Sequence, residues 1–338
     1  MARAARQIRL AGVFAAITTP RREGTLEADF SASLELLDFA SDAGVNGVCV
    51  LGSTGEFVDF SFTDRQRLIY LGVKRSRTPL IAGVSHSSLD GAIQLADEAI
   101  SSGADALLIM PPYFFRYQQP EVETFLLEFA RETAGAVPIL LYNIPQFTSP
   151  IEIDTVARLA ATGLFAGIKD SSGDWNYFER LLALRREEAQ APPDAALDNS
   201  GTAPSAASGG GRLRVSSKAF AILAGHDRLA ARALAAGADG VISGCACAIP
   251  EVLVALAKAV AAGDERRVAQ IERRLLEFIE QIEQFPAPLG IRRAIELRGK
   301  KCGPPFIPLS PAAASRMEEF ARWFTEWLPP AKKEMAGA

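Results

Sequence analysis

One local pattern recurs along this chain and leaves few folds open to it: a helix-like stretch, a glycine, then a short apolar run. It is spelled out as Ser41-Asp42-Ala43-Gly44-Val45-Asn46-Gly47-Val48, as Ser101-Ser102-Gly103-Ala104-Asp105-Ala106-Leu107 and as Ala235-Ala236-Gly237-Ala238-Asp239-Gly240-Val241. Weaker copies are Gly135-Ala136-Val137 and Gly163-Leu164-Phe165. Glycine suits the left-handed residue that closes a helix before the chain turns into a strand. The runs that follow are of strand length and apolar on both faces, as parallel strands buried between layers are. Eight candidates result: 12–18, 45–51, 80–84, 104–110, 137–142, 165–169, 220–224 and 240–243. Amphipathic stretches such as 64–74, 89–101, 120–133 and 153–161 separate them. Eight strand–helix alternations predict a closed (β/α)8 barrel, a TIM barrel. An open doubly wound sheet usually has fewer strands and a glycine-rich nucleotide loop, and neither fits.

After Pro250 the strand pattern stops, and 251–263, 265–284 and 311–328 read as helices. The expected organisation is a barrel catalytic domain over 1–262 and a C-terminal helical extension over 263–338, packed on the barrel or on a neighbour. The segment 187–217 is rich in Ala, Pro, Ser and Gly and reads as a flexible inserted loop. Its Gly209-Gly210-Gly211, near Arg212 and Arg214, resembles a phosphate cradle, but no strand precedes it and no Gly-Lys-Ser/Thr follows.

Composition narrows function mostly by exclusion. About half of the 338 residues are apolar (49%), enough for one large core, and the formal net charge of -4 comes from mixed charges. No basic stripe suggests nucleic acid, and no apolar run reaches bilayer length. The arginines before Leu10 are followed by no apolar signal core, so the start reads as a short tail. The four scattered cysteines (Cys49, Cys245, Cys247, Cys302) read as free thiols of a reducing cytoplasm. Cys245 and Cys247 lack the second ligand pair of a structural zinc, and two histidines, His86 and His226, are too few for a catalytic one. A serine hydrolase would need a G-x-S-x-G elbow, and there is none.

In barrels of this kind the active site lies at the C-terminal strand ends. Lys169 ends the run Leu164-Phe165-Ala166-Gly167-Ile168, the one lysine on a strand that must face a core. Burial disfavours an ammonium, and a lysine kept partly neutral can attack a carbonyl. The plainer alternatives are pairing with Asp170 or reaching to the rim. Tyr142 ends the fifth run, and a phenol beside an imine-forming lysine can carry protons; it could equally be a barrel tyrosine with one hydrogen-bond partner. Gly52-Ser53-Thr54-Gly55-Glu56 ends the second run, where two glycines around two hydroxyl residues make an anion cradle or simply a tight turn.

Together these motifs resemble the dihydrodipicolinate synthase / N-acetylneuraminate lyase family of class I aldolases over nearly the whole chain. The resemblance rests on Gly12–Pro20 (GVFAAITTP), Gly52–Glu56 (GSTGE), Pro111–Tyr113 (PPY), Tyr142–Pro145 (YNIP), Gly167–Gly173 (GIKDSSG), Gly225–Asp227 (GHD) and Gly237–Ser243 (GADGVIS). It implies that Lys169 forms the Schiff base, that Tyr142 and Ser53 relay protons, and that Gly52, Ser53 and Thr54 hold the carboxylate of a 2-oxo acid such as pyruvate. By the same resemblance Phe114, Phe147 and Ile242 line the substrate. No cofactor or metal is implied, because the imine is the electron sink, and the usual assembly is a homotetramer, with a homodimer as the smaller option.

Two departures bear on the substrate. Where dihydrodipicolinate synthases carry a second tyrosine, lent to the neighbouring subunit's relay, this chain has Phe114. Where they carry an arginine that grips a second carboxylate, it has Phe147. Phe57, Ser87 and Gly91 stand where polar contacts to feedback lysine would be. The first expectation is therefore an aldolase or lyase that makes or breaks a carbon–carbon bond beside pyruvate, with a less charged or aromatic acceptor. A 2-oxo sugar acid dehydratase comes second, and a 4-hydroxy-tetrahydrodipicolinate synthase with an altered relay third. From another class, a catalytically idle homologue that binds a keto acid would keep the fold without the chemistry.

Overall fold

A computed structural model describes residues 8–25, 27–133, 135–190 and 220–336. In chain order the elements are β1 (Gly12–Ala16), α1 (Phe30–Asp42), β2 (Gly47–Val50), α2 (Phe62–Arg75), β3 (Leu80–Gly83), α3 (Leu89–Ser102), β4 (Ala106–Ile109), α4 (Gln119–Glu132), β5 (Ile139–Asn143), α5 (Ile153–Ala161), β6 (Gly167–Asp170) and α6 (Trp175–Gln190). They continue with β7 (Ala221–Ala224), α7 (Ala230–Ala235), β8 (Gly240–Ser243), α8 (Cys245–Ala248), α9 (Pro250–Ala261), α10 (Glu265–Ile282), α11 (Leu289–Leu297) and α12 (Pro311–Ala336). The strands pair in sequence order and β8 closes on β1, so this is a (β/α)8 barrel with helices at its C-terminal side.

Every strand segment from β2 to β8 is buried along its full length, which is why the runs are apolar without alternation. Helix α3 shows how the repeated pattern folds. Ser88 caps its start by accepting the Gly91 N–H (3.3 Å), and Ala92, Leu95, Ala96 and Ala99 form its buried stripe. Its end is Gly103, at φ 93°, whose N–H donates to the Ala99 carbonyl (3.1 Å) and releases the chain towards β4.

Three features depart from the sequence expectation, two of them beyond β8. Helix α11 was not foreseen: it is short and carries Arg292 and Arg293 along its middle. Helix α12 passes through Pro329 and Pro330 rather than ending at Leu328. Tertiary contacts hold its last turns, since Ala331 and Met335 are buried and Arg274 binds the Glu334 carboxylate (Nε–Oε2 3.1 Å). Helix α6 runs to Gln190, so 187–190 continue a helix of good helix formers; the remainder of the expected loop, 191–217, lies outside the described residues. Among the described residues no helix is long and apolar enough to cross a membrane.

Candidate active site

Strand register makes neighbours of two of the expected site residues. β5 and β6 pair with Tyr142 opposite Lys169 and Asn143 opposite Asp170. Successive strand residues point to opposite faces, so the two pairs face opposite ways. Lys169 faces the barrel interior, because it interacts electrostatically with Cys49 on β2, the strand diametrically across. Tyr142 and Lys169 are each 2% exposed, and Lys169 Nζ lies 4.3 Å from the centre of the Tyr142 ring. Burial pushes the Cys49 thiol up to about 11, with the lysine charge opposing, so a neutral thiol sits on the far wall.

The outward pair explains why Asp170 is not the lysine's counter-ion. Asp170 accepts from Asn143 Nδ2 (2.7 Å), Ser172 N (3.2 Å) and Ser172 Oγ (2.8 Å). Asn143 Oδ1 accepts the Ile151 N–H (3.0 Å), which ties this network to the lead-in of α5. Burial raises the Asp170 carboxyl above its usual range, and the bonds from Asn143 and Ser172 pull against that. Lys169 makes no ion pair among the described residues.

The loop after β2 brings hydroxyl groups over the lumen. Residues Ser53–Gly55 form one 3-10 turn, closed by Gly55 N to the Gly52 carbonyl (3.0 Å) and Glu56 N to the Ser53 carbonyl (3.0 Å). Gly55 lies against β1 so closely that a Cβ there would be 3.1 Å from the Ile17 carbonyl oxygen. Ser53 Oγ is 2.8 Å from the Tyr142 hydroxyl, and either can donate. Lys169, Tyr142 and Ser53 therefore form one continuous line across the mouth of the barrel. Thr54 Oγ1 faces Gly244, 3.1 Å from where a Cβ would stand, at the end of β8. Gly52 is buried at the start of the turn.

Backbone strain concentrates here. The non-glycine residues with left-handed φ among those described are Leu51 (57°), Glu56 (51°) and Phe114 (87°), all on loops at the C-terminal ends of β2 and β4. Such residues cost about 1–3 kcal/mol each and persist where a site over-determines them.

The remaining expected site residues lie further out. An antiparallel bridge between Tyr113 and Thr148 aligns Phe114 with Phe147 at the rim, where they are 85% and 60% exposed in the single chain. Ile242 is buried on β8 in register with Phe14 of β1, within the barrel wall. Two further residues in this region are not among the expected site residues. Ser171, two residues beyond Lys169 and so on the same side of the strand end, is 8% exposed with an unpartnered Oγ. A Cβ on Gly225 would stand 2.1 Å from that oxygen and 2.7 Å from Lys169 Cε, so the two side chains are neighbours. Glu56, last residue of the turn motif, binds Arg292 of α11, a pairing without any sequence signal.

Comparison with known proteins bears on this geometry. The model of the Dihydrodipicolinate synthetase family matches residues 9–190 and 211–326. The chain is 32% identical over 318 residues to the 4-hydroxy-tetrahydrodipicolinate synthase of Hyphomonas neptunium, covering 92% of this chain and 96% of that protein. It is 30% identical over 305 residues to the enzyme of the same name from Methanothrix thermoacetophila, covering 89% and 91%. Among solved structures, the dihydrodipicolinate synthase of Aquifex aeolicus superposes with a TM-score of 0.79 at 25% identity, over 94% of this chain and 98% of that one.

Proposed function

The chain belongs to the dihydrodipicolinate synthetase family and is a lyase of the class I aldolase type, and from that premise we propose that Lys169 captures pyruvate or a related 2-oxo acid as an imine. The observation that carries this reading is the line Lys169–Tyr142–Ser53: a buried lysine 4.3 Å from a phenol ring whose hydroxyl is 2.8 Å from a serine hydroxyl. In this reading lysine is the nucleophile, and the two hydrogen-bonded hydroxyl groups start on the ring that packs against it.

In the proposed sequence the 2-oxo acid's carboxylate rests on the Gly52-Ser53-Thr54 turn, which holds C2 towards Lys169. Nζ adds to C2, and the resulting carbinolamine loses its hydroxyl as water once Tyr142, recharged through Ser53, supplies the proton. The imine lets a proton leave C3, and the enamine so formed attacks an aldehyde carbon. Read backwards, the same steps cleave a carbon–carbon bond and release the aldehyde. Hydrolysis of the imine frees the lysine. No cofactor enters this scheme.

The relatives' named activity is one acceptor choice within it. Phe114 and Phe147 argue for another, since neither supplies a proton or a bidentate anion partner, and both stand exposed at the rim. A second reading has its own support: the unpartnered Ser171 hydroxyl beside Lys169 suits a substrate rich in hydroxyl groups, such as a 2-oxo sugar acid that loses water through the same imine. The exposed apolar cluster Phe114, Phe115 and Phe147 supports a homo-oligomer that covers the rim, and four free buried cysteines support a reducing, cytoplasmic setting.

The test is a panel assay. Purified protein given pyruvate with aliphatic, aromatic and carboxylated aldehydes should consume pyruvate fastest with the uncharged or aromatic ones. Dehydration of 2-oxo sugar acids without any aldehyde would favour the second reading. Turnover with aspartate semialdehyde above all others would restore the relatives' activity, and no turnover with any of them would favour an idle keto-acid binder.

A further inference from the structure

Helix α11 lies outside the barrel, yet one of its side chains ends against the turn that carries Ser53. Arg292 is 3% exposed. Its Nη1 donates to Glu56 Oε2 (2.5 Å) and to the Thr19 carbonyl in the loop after β1 (3.1 Å). Its Nη2 donates to the carbonyls of Cys302 (2.6 Å), Gly303 (3.2 Å) and Pro304 (3.3 Å). Both partners of the ion pair are buried, with side chains 4% and 8% exposed.

Stability alone is a poor reason to keep such a pair. Desolvating two charges consumes most of what their attraction returns, and well-packed apolar residues often do as well. Fixing a register is the better-attested use. What is registered here can be read from Glu56, which stands at φ 51° and donates its N–H to the Ser53 carbonyl (3.0 Å). A backbone held in an unfavourable conformation is anchored from outside the barrel by its own side chain.

We infer that Arg292 is a positioning residue: acting through Glu56, it fixes the turn that presents Ser53 and Thr54, and so makes the C-terminal helical segment part of the reaction machinery. The inference rests on the reading of that turn as the carboxylate cradle. The charged groups facing Glu56 are Arg292 from α11, Arg21 from the loop after β1 and Asp59 from the next turn. Burial raises the Glu56 carboxyl, and Arg292 opposes this more than Arg21 does. Without Arg292 the carboxyl moves further up, and above that point an unpaired charge is left buried beside the turn.

The test uses the full chain as Arg292→Met, Arg292→Lys, Glu56→Gln and the double Glu56→Gln/Arg292→Met. Two readouts are taken: hydrogen exchange of the 52–57 amides without ligand, and the rate of borohydride trapping of pyruvate on Lys169. Arg292→Met should speed exchange at 52–57 about tenfold or more while α10 keeps its protection. Its trapping rate should fall by about tenfold or more, and fall further as pH rises and Glu56 ionises unpaired. Arg292→Lys should recover most of the loss, and the double variant should be less impaired than Arg292→Met and lack its pH dependence. Glu56→Gln, nearly isosteric, should loosen 52–57 even if Arg292→Met does not fold. Unchanged exchange at 52–57 in the folded variants would overturn the inference. Loosened exchange in a protein whose wild type traps no pyruvate would leave the positioning role standing and remove the proposed function instead.

Discussion

At the scale of single residues, the proposed site combines a lysine that is costly to bury with two hydroxyl groups in hydrogen-bond contact, those of Tyr142 and Ser53. Tyr142→Phe keeps the ring beside Lys169 and removes only the oxygen that meets Ser53. It should lower kcat by about 10²–10⁴, the usual weight of general acid–base catalysis, and change the KM for pyruvate far less. Steady-state kinetics decide it, and a variant within a few-fold of wild type would take Tyr142 out of the relay. The buried strand position of Lys169 was legible in the sequence because the lysine ends an apolar run. Its nearest alternative, pairing with Asp170, needed the register to dismiss it: Asp170 faces the other way and is taken by Asn143 and Ser172. Arg292 was not legible, since it stands 236 residues from Glu56 on a helix with no motif of its own.

At the scale of elements, the ends of β5 and β6 are locked by the Asn143–Asp170–Ser172 network on the face turned away from Lys169. Asn143→Ala would strip Asp170 of one donor and leave the Ile151 N–H without its acceptor. Asp170 keeps its two bonds from Ser172, so the one buried group left unsatisfied is the Ile151 N–H, and its cost of about 1–3 kcal/mol should lower Tm by several degrees. Pyruvate trapping should slow as well, because the same strand ends carry Tyr142 and Lys169. Thermal melts with a trapping assay check both, and an unchanged Tm would mean that water replaces the amide. The eight strands could be read because each is an apolar run bounded by glycine or polar residues. Helix α11 could not, since nothing after it marks a return to a strand, and α12 outran its prolines because Arg274 and the buried Met335 hold its end.

At the scale of the whole molecule, a barrel and a helical segment meet at the mouth where the chemistry is proposed. The barrel was readable because its repeat is local. The joint was not, because it is made by long-range ion pairs, Arg292 with Glu56, Arg228 with Glu283 and Arg298 with Glu251, and by carbonyl groups from 302–304 that any sequence would supply. The central claim is covalent capture at Lys169. Borohydride reduction in the presence of pyruvate, followed by intact mass and peptide mapping, tests it most directly. One reduced pyruvyl adduct per chain, mapped to Lys169 and lost in Lys169→Ala, is the predicted result. An unmodified chain, or an adduct on any other lysine, would contradict it.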